Sequence, residues 1–126
     1  MSKFAQSFRD MEVYQESFLL QQEIFKMSKQ LPADERFSLT DQIRRSSRSI
    51  GANIAESWAK RRYPAHFLSK LTDADGELQE TLHWIRSAVA CSYLSEAEAE
   101  KLTEKASMVG RLLGSTINNY ESFCLR

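Results

Sequence analysis

At 126 residues, with 42% hydrophobic and 27% charged residues, the chain has the make-up of one globular domain with a real core, not of a disordered segment. Seventeen basic and seventeen acidic residues cancel, so no global field draws it to nucleic acid or membranes, and any such affinity has to come from a local patch. The N-terminal MSKFAQSFRDMEVYQ lacks the continuous apolar region of a signal peptide, and no run approaches the ~18 apolar residues needed to span a bilayer. Cys91 and Cys124 fit neither a disulfide framework nor a metal-ligand spacing, which points to free thiols in a reducing cytoplasm.

The expectation is a single domain over residues 1–126. Residues 1–9 are polar apart from Phe4 and Phe8, and read as a flexible arm or one added helical turn. Asp10 is placed to cap a first helix. From there Val13, Ser17, Leu20, Ile24, Met27 and Leu31 step by four and three, with Tyr14, Phe18 and Phe25 widening the stripe. Pro32 ends this helix or opens the next. A second helix should begin between Asp34 and Ser38 and bury Leu39, Ile43, Ile50, Ile54 and Trp58. Ser46 and Ser47 fill the middle of that seam, where small hydroxyls let a neighbouring helix approach. Gly51 costs about 0.8–1 kcal/mol relative to Ala inside a helix, yet the pattern runs straight through it and marks a close contact.

Tyr63-Pro64 breaks the second helix, and Pro64 suits the first turn of a third. The third seam is Phe67, Leu71, Ala74, Leu78, Leu82, Ile85 and Val89. Ser95 to Glu98 is a capping box for a fourth helix, whose seam is Leu102, Ala106, Val109, Leu113, Thr116 or Ile117, Tyr120 and Phe123. No strand-like alternation and no internal repeat is present. Four helices of ~20–28 residues joined by short loops make an all-α, antiparallel up-down-up-down four-helix bundle.

The stretch from Asp41 to Arg62 carries the densest positive charge. Arg44, Arg45, Arg48, Lys60, Arg61 and Arg62 are opposed there only by Glu56 from Arg44 onward. At ~100° per residue, Leu39, Ser47, Ile50, Ile54 and Trp58 cluster around Ile43, while Arg44, Arg48 and Arg62 lie on a flank shared with Gly51 and Ala55. Three uses of this flank are open. It is a solvated or ion-paired face, with Glu56, Asp73, Asp75, Glu77 and Glu80 as partners. It is a phosphate-contacting patch, arginine being suited to planar contacts with phosphate. Or it is a subunit interface in which small residues permit close approach.

Signals for chemistry are weak. Glu80-x-x-His83 has the spacing of half a di-iron site, but the second such motif is missing. Ser46, Ser47 and Ser49 have no histidine or lysine base beside them. No phosphate loop, dinucleotide fingerprint or zinc spacing is present. The expectation is therefore no catalytic residue, no metal, no cofactor and no enzymatic activity. Trp58 reads as core packing and Trp84 as a packing or interface residue.

The segment ERFSLTDQIRRSSRSIGANIAES resembles the signature of the four-helix-bundle proteins encoded within intervening sequences of bacterial 23S rRNA genes. The shared elements are Glu35-Arg36, Leu39, Gln42-Ile43-Arg44-Arg45, Ser49-Ile50 and Asn53-Ile54-Ala55-Glu56. Phe67-Leu68, Leu71 and Ala74-Asp75-Gly76-Glu77-Leu78-Gln79-Glu80 match a second motif, and the resemblance covers about residues 11–120. Ser57, Ser46 and Glu77 depart from the family's usual Gly, Ala and Ser. The resemblance implies a ring-shaped homopentamer. It also implies kinship with the accessory variability determinants of diversity-generating retroelements, which bind nucleic acid and a reverse transcriptase through basic surfaces. Such a reverse transcriptase is a partner if the chain comes from a retroelement.

The sequence thus leads to a cytoplasmic, non-enzymatic oligomer. It binds nucleic acid, RNA favoured over DNA and DNA left open, through Arg44, Arg45, Arg48, Lys60, Arg61 and Arg62, with Gly51, Asn53, Ala55 and Glu56 at the oligomer interface. The alternative is a protein-interaction scaffold with no nucleic-acid role.

Overall fold

A computed structural model describes residues 5–125. Four helices carry the fold: α1 (Glu12–Ser28), α2 (Leu39–Ala59), α3 (Pro64–Ala90) and α4 (Glu96–Asn118). Each packs against its chain neighbours, and α1 closes the ring against α4. The bundle is therefore antiparallel and up-down-up-down, as its short loops require. The most extensive pairing is between α2 and α3.

The apolar seams predicted from the sequence form the core. Leu20, Ile24, Ile43, Ile50, Ile54, Phe67, Leu71, Ala106 and Val109 are fully buried. On α3 the buried stripe runs through Thr81 and Ala88, leaving the expected Leu82 and Val89 only half-buried. Thr81 is drawn in by a hydroxyl pair with Ser46 of α2, oxygen to oxygen 2.9 Å. Thr81 Oγ1 is also 2.9 Å from the Glu77 carbonyl and Ser46 Oγ 3.5 Å from that of Ile43, so one hydroxyl donates across the pair and the other to its own helix. Hydroxyls buried elsewhere do the same within their own helices. Ser17 donates to Tyr14, Ser28 to Phe25 and Ser57 to Ile54 at 2.8, 2.7 and 2.6 Å. Each side chain satisfies itself one turn back, so small polar residues enter the core without an orphaned donor.

Helix ends follow local chemistry, with corrections to the expected boundaries. Ser95 accepts from the Glu98 amide and Glu98 from the Ser95 amide, both at 3.0 Å, which is the predicted capping box. These bonds hold the Glu98 carboxyl below its ordinary pKa, with a further contribution from Gln30. Pro64 opens α3. Asp10 does not cap α1. It pairs with Ser7 in a capping box around a 3-10 turn, Phe8–Asp10, and α1 starts after Met11. From Ser7 onward the expected flexible arm is thus an added turn, with Phe8 edge-on to Tyr14 at 4.8 Å between ring centroids; residues 1–4 lie outside the described residues. Helix α2 starts at Leu39, later than expected, because Ala33–Glu35 forms its own 3-10 turn. The last helix stops at Asn118, and Tyr120–Ser122 turns back so that Phe123 stacks on Phe67 at 6.1 Å.

The α3–α4 turn is a Schellman motif. The Tyr93 amide reaches back to the Ala88 carbonyl and the Ser92 amide to that of Val89, both at 2.9 Å. Ser92 accordingly holds φ of 63°, the left-handed region. This turn is tied to the α1–α2 loop by the Tyr93 hydroxyl, which donates to Glu35 Oε2 at 2.9 Å. The other oxygen of Glu35 accepts from the Leu39 amide at 3.2 Å, so one carboxylate caps α2 and closes the end of the bundle.

Donation to Glu35 pushes the Tyr93 hydroxyl up from 10.0 to about 12, with smaller contributions from desolvation and the Glu35 charge. The folded state thus favours the protonated phenol. The stabilisation is complete below the unfolded value and is lost as pH rises through about 12. Tyr93→Phe is expected to be less stable than the parent at neutral pH. That deficit should shrink between pH 10 and 12 in chemical unfolding titrations followed by circular dichroism.

Candidate nucleic-acid interface

The structure separates the six basic residues predicted on α2 and its C-terminal end. Arg44 leans toward α1, where its Nε donates to Ser28 Oγ at 2.7 Å. Its guanidinium lies 4.9 Å from the centre of the Phe25 ring. Arg48, one turn on, is 5.4 Å from the same ring, and Lys29 of α1's C-terminal end is 4.8 Å from it. Three cations thus surround one phenyl group, each gaining on the order of 0.5–1 kcal/mol at an exposed site. Among the described residues none of the three has a carboxylate partner.

Arg45 points the other way, over α3. Its Nη2 is 2.6 Å from Glu80 Oε2 and its Nη1 is 3.9 Å from Glu77 Oε1. Glu80 also accepts from Trp84 Nε1 at 3.0 Å. Two carboxylates therefore cancel the charge of Arg45, which removes it from the expected phosphate-binding set. Glu80 is held in this network and His83 lies exposed, so the Glu80-x-x-His83 spacing does not form a site. The Glu77 Oε1 atom is buried without a hydrogen-bond donor among the described residues; Arg45 is within ion-pair range but too distant for a hydrogen bond.

At the far end, Lys60 and Arg62 are exposed. Arg61 is not free. Its guanidinium lies 3.5 Å from the centre of the half-buried Trp58 ring, and its Nε donates to the Trp58 carbonyl at 2.8 Å. Burial lowers its pKa, partly offset by the neighbouring Cys124. Its carbonyl accepts from the Leu125 amide at 3.0 Å, so Arg61 ties the turn after α2 to the end of the chain.

The four expected oligomer contacts do not form one patch. Gly51 is buried inside the subunit. A Cβ there would meet Ser17 Oγ at 3.2 Å and the Tyr14 ring at 3.5 Å, so the small residue serves the α1–α2 approach and not a second copy. Asn53 is half-buried and donates to the Ser49 carbonyl at 2.9 Å. Ala55 lies on the α1 side of the helix by its spacing. Glu56, on the α3 side, forms an ion pair with Lys70, and this bond raises the lysine pKa. Asp73 also turns to Lys70, at 3.9 Å, so neither Glu56 nor Asp73 pairs with an arginine of α2.

Several residues near these cations were read in the sequence for other roles, and Lys29 was not singled out. Phe25 and Lys29, one turn apart, form the floor and third wall of the arginine cluster. Phe18, read as part of the apolar stripe, is 43% exposed, and Tyr63 is 57% exposed. The i, i+4, i+11 spacing of Tyr14, Phe18 and Phe25 was the available signal for an aromatic line beside the arginines.

The geometry is that of a helical bundle with one face carrying cations over aromatic rings. The chain belongs to the family of 23S rRNA-intervening sequence proteins, whose model matches residues 9–115. It is similar to a solved structure from Bacteroides thetaiotaomicron VPI-5482, described as a protein with unknown function from the S23 ribosomal protein family. The two are 29% identical, the match covers 84% of this chain and 95% of that one, and the TM-score is 0.75. No curated protein matches the chain. Among the described residues no helix is long and apolar enough to cross a membrane.

Gly51→Leu tests the placement of Gly51. Overpacking of this kind costs typically about 1–3 kcal/mol, so the variant should melt at lower temperature at every protein concentration. A contact between copies would instead show as a concentration-dependent shift of the melt, read by differential scanning calorimetry.

Proposed function

We propose that the protein is a cytoplasmic, non-enzymatic homo-oligomer, a pentamer on the family resemblance, that binds RNA through the basic face shared by α1 and α2. The observation that carries this reading is the cluster of Arg44, Arg48 and Lys29 around Phe25, with no carboxylate partner among the described residues. Neutral proteins commonly cancel their helix charges in pairs, as Arg45 does here with Glu80. A set left unpaired and splayed over an aromatic ring presents guanidinium edges outward, where bidentate contact with phosphate is available. Lys60 and Arg62 extend the positive surface to the other end of α2. The rRNA association in the family's name is consistent with RNA as the ligand. A reverse transcriptase would be a further partner in a retroelement setting.

Binding of this kind weakens linearly in log–log form with salt, by about 0.7–0.9 per phosphate neutralised. Arg44→Ala combined with Arg48→Ala should weaken RNA binding and reduce the salt slope by roughly two units, measured by fluorescence anisotropy on a structured RNA at ~50 mM to ~200 mM salt. Absence of binding at ~50 mM salt would sink the reading and leave the scaffold alternative.

Assembly fits a different surface. Leu19 is 50% exposed and Met108 is 37% exposed. Leu19 shares a helix stripe with Glu23 and Lys26, and Met108 with Glu98 and Lys101; these four charged residues line the groove between α1 and α4. Apolar side chains flanking that groove are the candidate contact between copies. Leu19→Glu with Met108→Glu should shift the mass in light scattering to that of a monomer while helicity is kept. An unchanged mass removes this face from the assembly.

A further inference from the structure

We infer that the α1–α2 face is a track for single-stranded RNA, with Phe18 and Tyr63 as platforms on which unpaired bases stack. The inference rests on the RNA-binding reading above and specifies the form of the ligand.

Cations stand at both ends of α2. Lys29, Arg44 and Arg48 surround Phe25 at one end, and Lys60 and Arg62 stand exposed at the other. Arg48 lies eleven residues before Ala59, the last residue of α2, or ~16 Å at helical rise, and Arg62 follows in the turn beyond, so the span is one that several nucleotides cover. Between them the outer surface of α2 carries Ala52, Ala55 and Ala59. Ala52 and Ala59 are exposed and Ala55 half-buried, so the floor has no long side chain to block a strand. Ser49 and Ala52 also line the shallow depression formed by Asp41, Arg44, Arg45 and Arg48. Asp41 is the acidic member of this group, at the N-terminal end of the helix.

Exposed aromatic rings lie toward both ends of this span. Phe18 is 43% exposed, and its ring lies 6.2 Å from that of Tyr14, which covers Gly51 of α2. Tyr63 is 57% exposed beside Lys60 and Arg62, with the His66 ring 5.5 Å away supporting it. A large ring left in water near cations that have no carboxylate partner among the described residues serves no core. Its free face matches the face of any base, whereas a duplex hides its base faces within the stack. Cations holding the backbone with aromatic rings beneath the bases is the general chemistry of single-strand binding. A double helix would meet only the cations.

The test uses the full chain and two probes, a twelve-nucleotide RNA of mixed sequence and the same RNA annealed to its complement, compared by fluorescence anisotropy at ~50 mM salt. The single strand is expected to bind more tightly than the duplex. Phe18→Ala and Tyr63→Ala should each weaken single-strand binding by roughly tenfold without changing the salt slope, because stacking releases no counterions. Tyr63→Phe, which keeps the ring, should bind as the parent does. Equal or tighter binding of the duplex overturns the inference and leaves RNA binding standing, as does parent-like binding by both alanine variants. Loss of the oligomer in Phe18→Ala, seen by light scattering, assigns the face to a second copy and overturns it as well. No binding of either probe overturns both readings. Both rings are exposed, and thermal melts of the alanine variants establish that the fold is kept.

Discussion

The bundle depends on how closely α2 is approached from both sides. On one side Gly51 receives Tyr14 and Ser17 of α1. On the other, Ser46 meets Thr81 of α3 through a buried hydroxyl pair. Neither contact survives a larger residue, and each introduces polarity into the core that has to be satisfied locally. The helices manage this by returning serine and threonine hydroxyls to a carbonyl one turn back. Close packing and full hydrogen bonding are thus met by the same small side chains. The cation-bearing flank of α2 is a by-product of that geometry. A helix that presents small residues to both neighbours keeps its long side chains for its outer edges, and there the arginines divide between α1 and α3.

That division decides which charges are available. Arg45 falls on the α3 edge and meets Glu77 and Glu80. Arg44 and Arg48 fall on the α1 edge, where the neighbours are Phe25, Ser28 and Lys29. The distinction is one of a single residue step, ~100° around the helix. It turns chemically identical side chains into a structural ion pair and a pair of free cations. Charge counted along the sequence therefore overstates the cluster without carboxylate partners among the described residues, while charge counted by edge delimits it, and adds Lys29 from the end of α1.

The fold was legible because four long amphipathic seams and two strong boundary signals, Pro64 and the Ser95–Glu98 box, leave little freedom to a chain this short of helix breakers. Two of the misreadings share one cause. Apolar periodicity ranks Leu82 above Thr81, yet Thr81 is the buried residue because a partner hydroxyl waits for it on α2. Gly51 could be recognised as a close-approach point, but its neighbour could not be identified, since a glycine pattern is the same for a contact within the subunit and one between subunits. The candidate site was half legible. The cations are visible in the sequence of α2, whereas Phe25, Lys29 and Phe18 come from α1 and join them only through the pairing of the two helices.

The bond from Tyr93 to Glu35 joins residues 58 positions apart and links the two loops at one end of the bundle. Helices α2 and α3, adjacent in sequence and most extensively paired, can dock across the short turn between them at little loop-closure entropy. The α1–α2 loop and the α3–α4 turn meet only after that hairpin is in place. Docking in that order would make the tie a late contact, one whose loss speeds unfolding more than it slows folding. Glu35 lies within the stretch of densest motif matches, next to the arginines of α2. The same carboxylate that caps the basic helix also fastens the two loops at this end of the bundle.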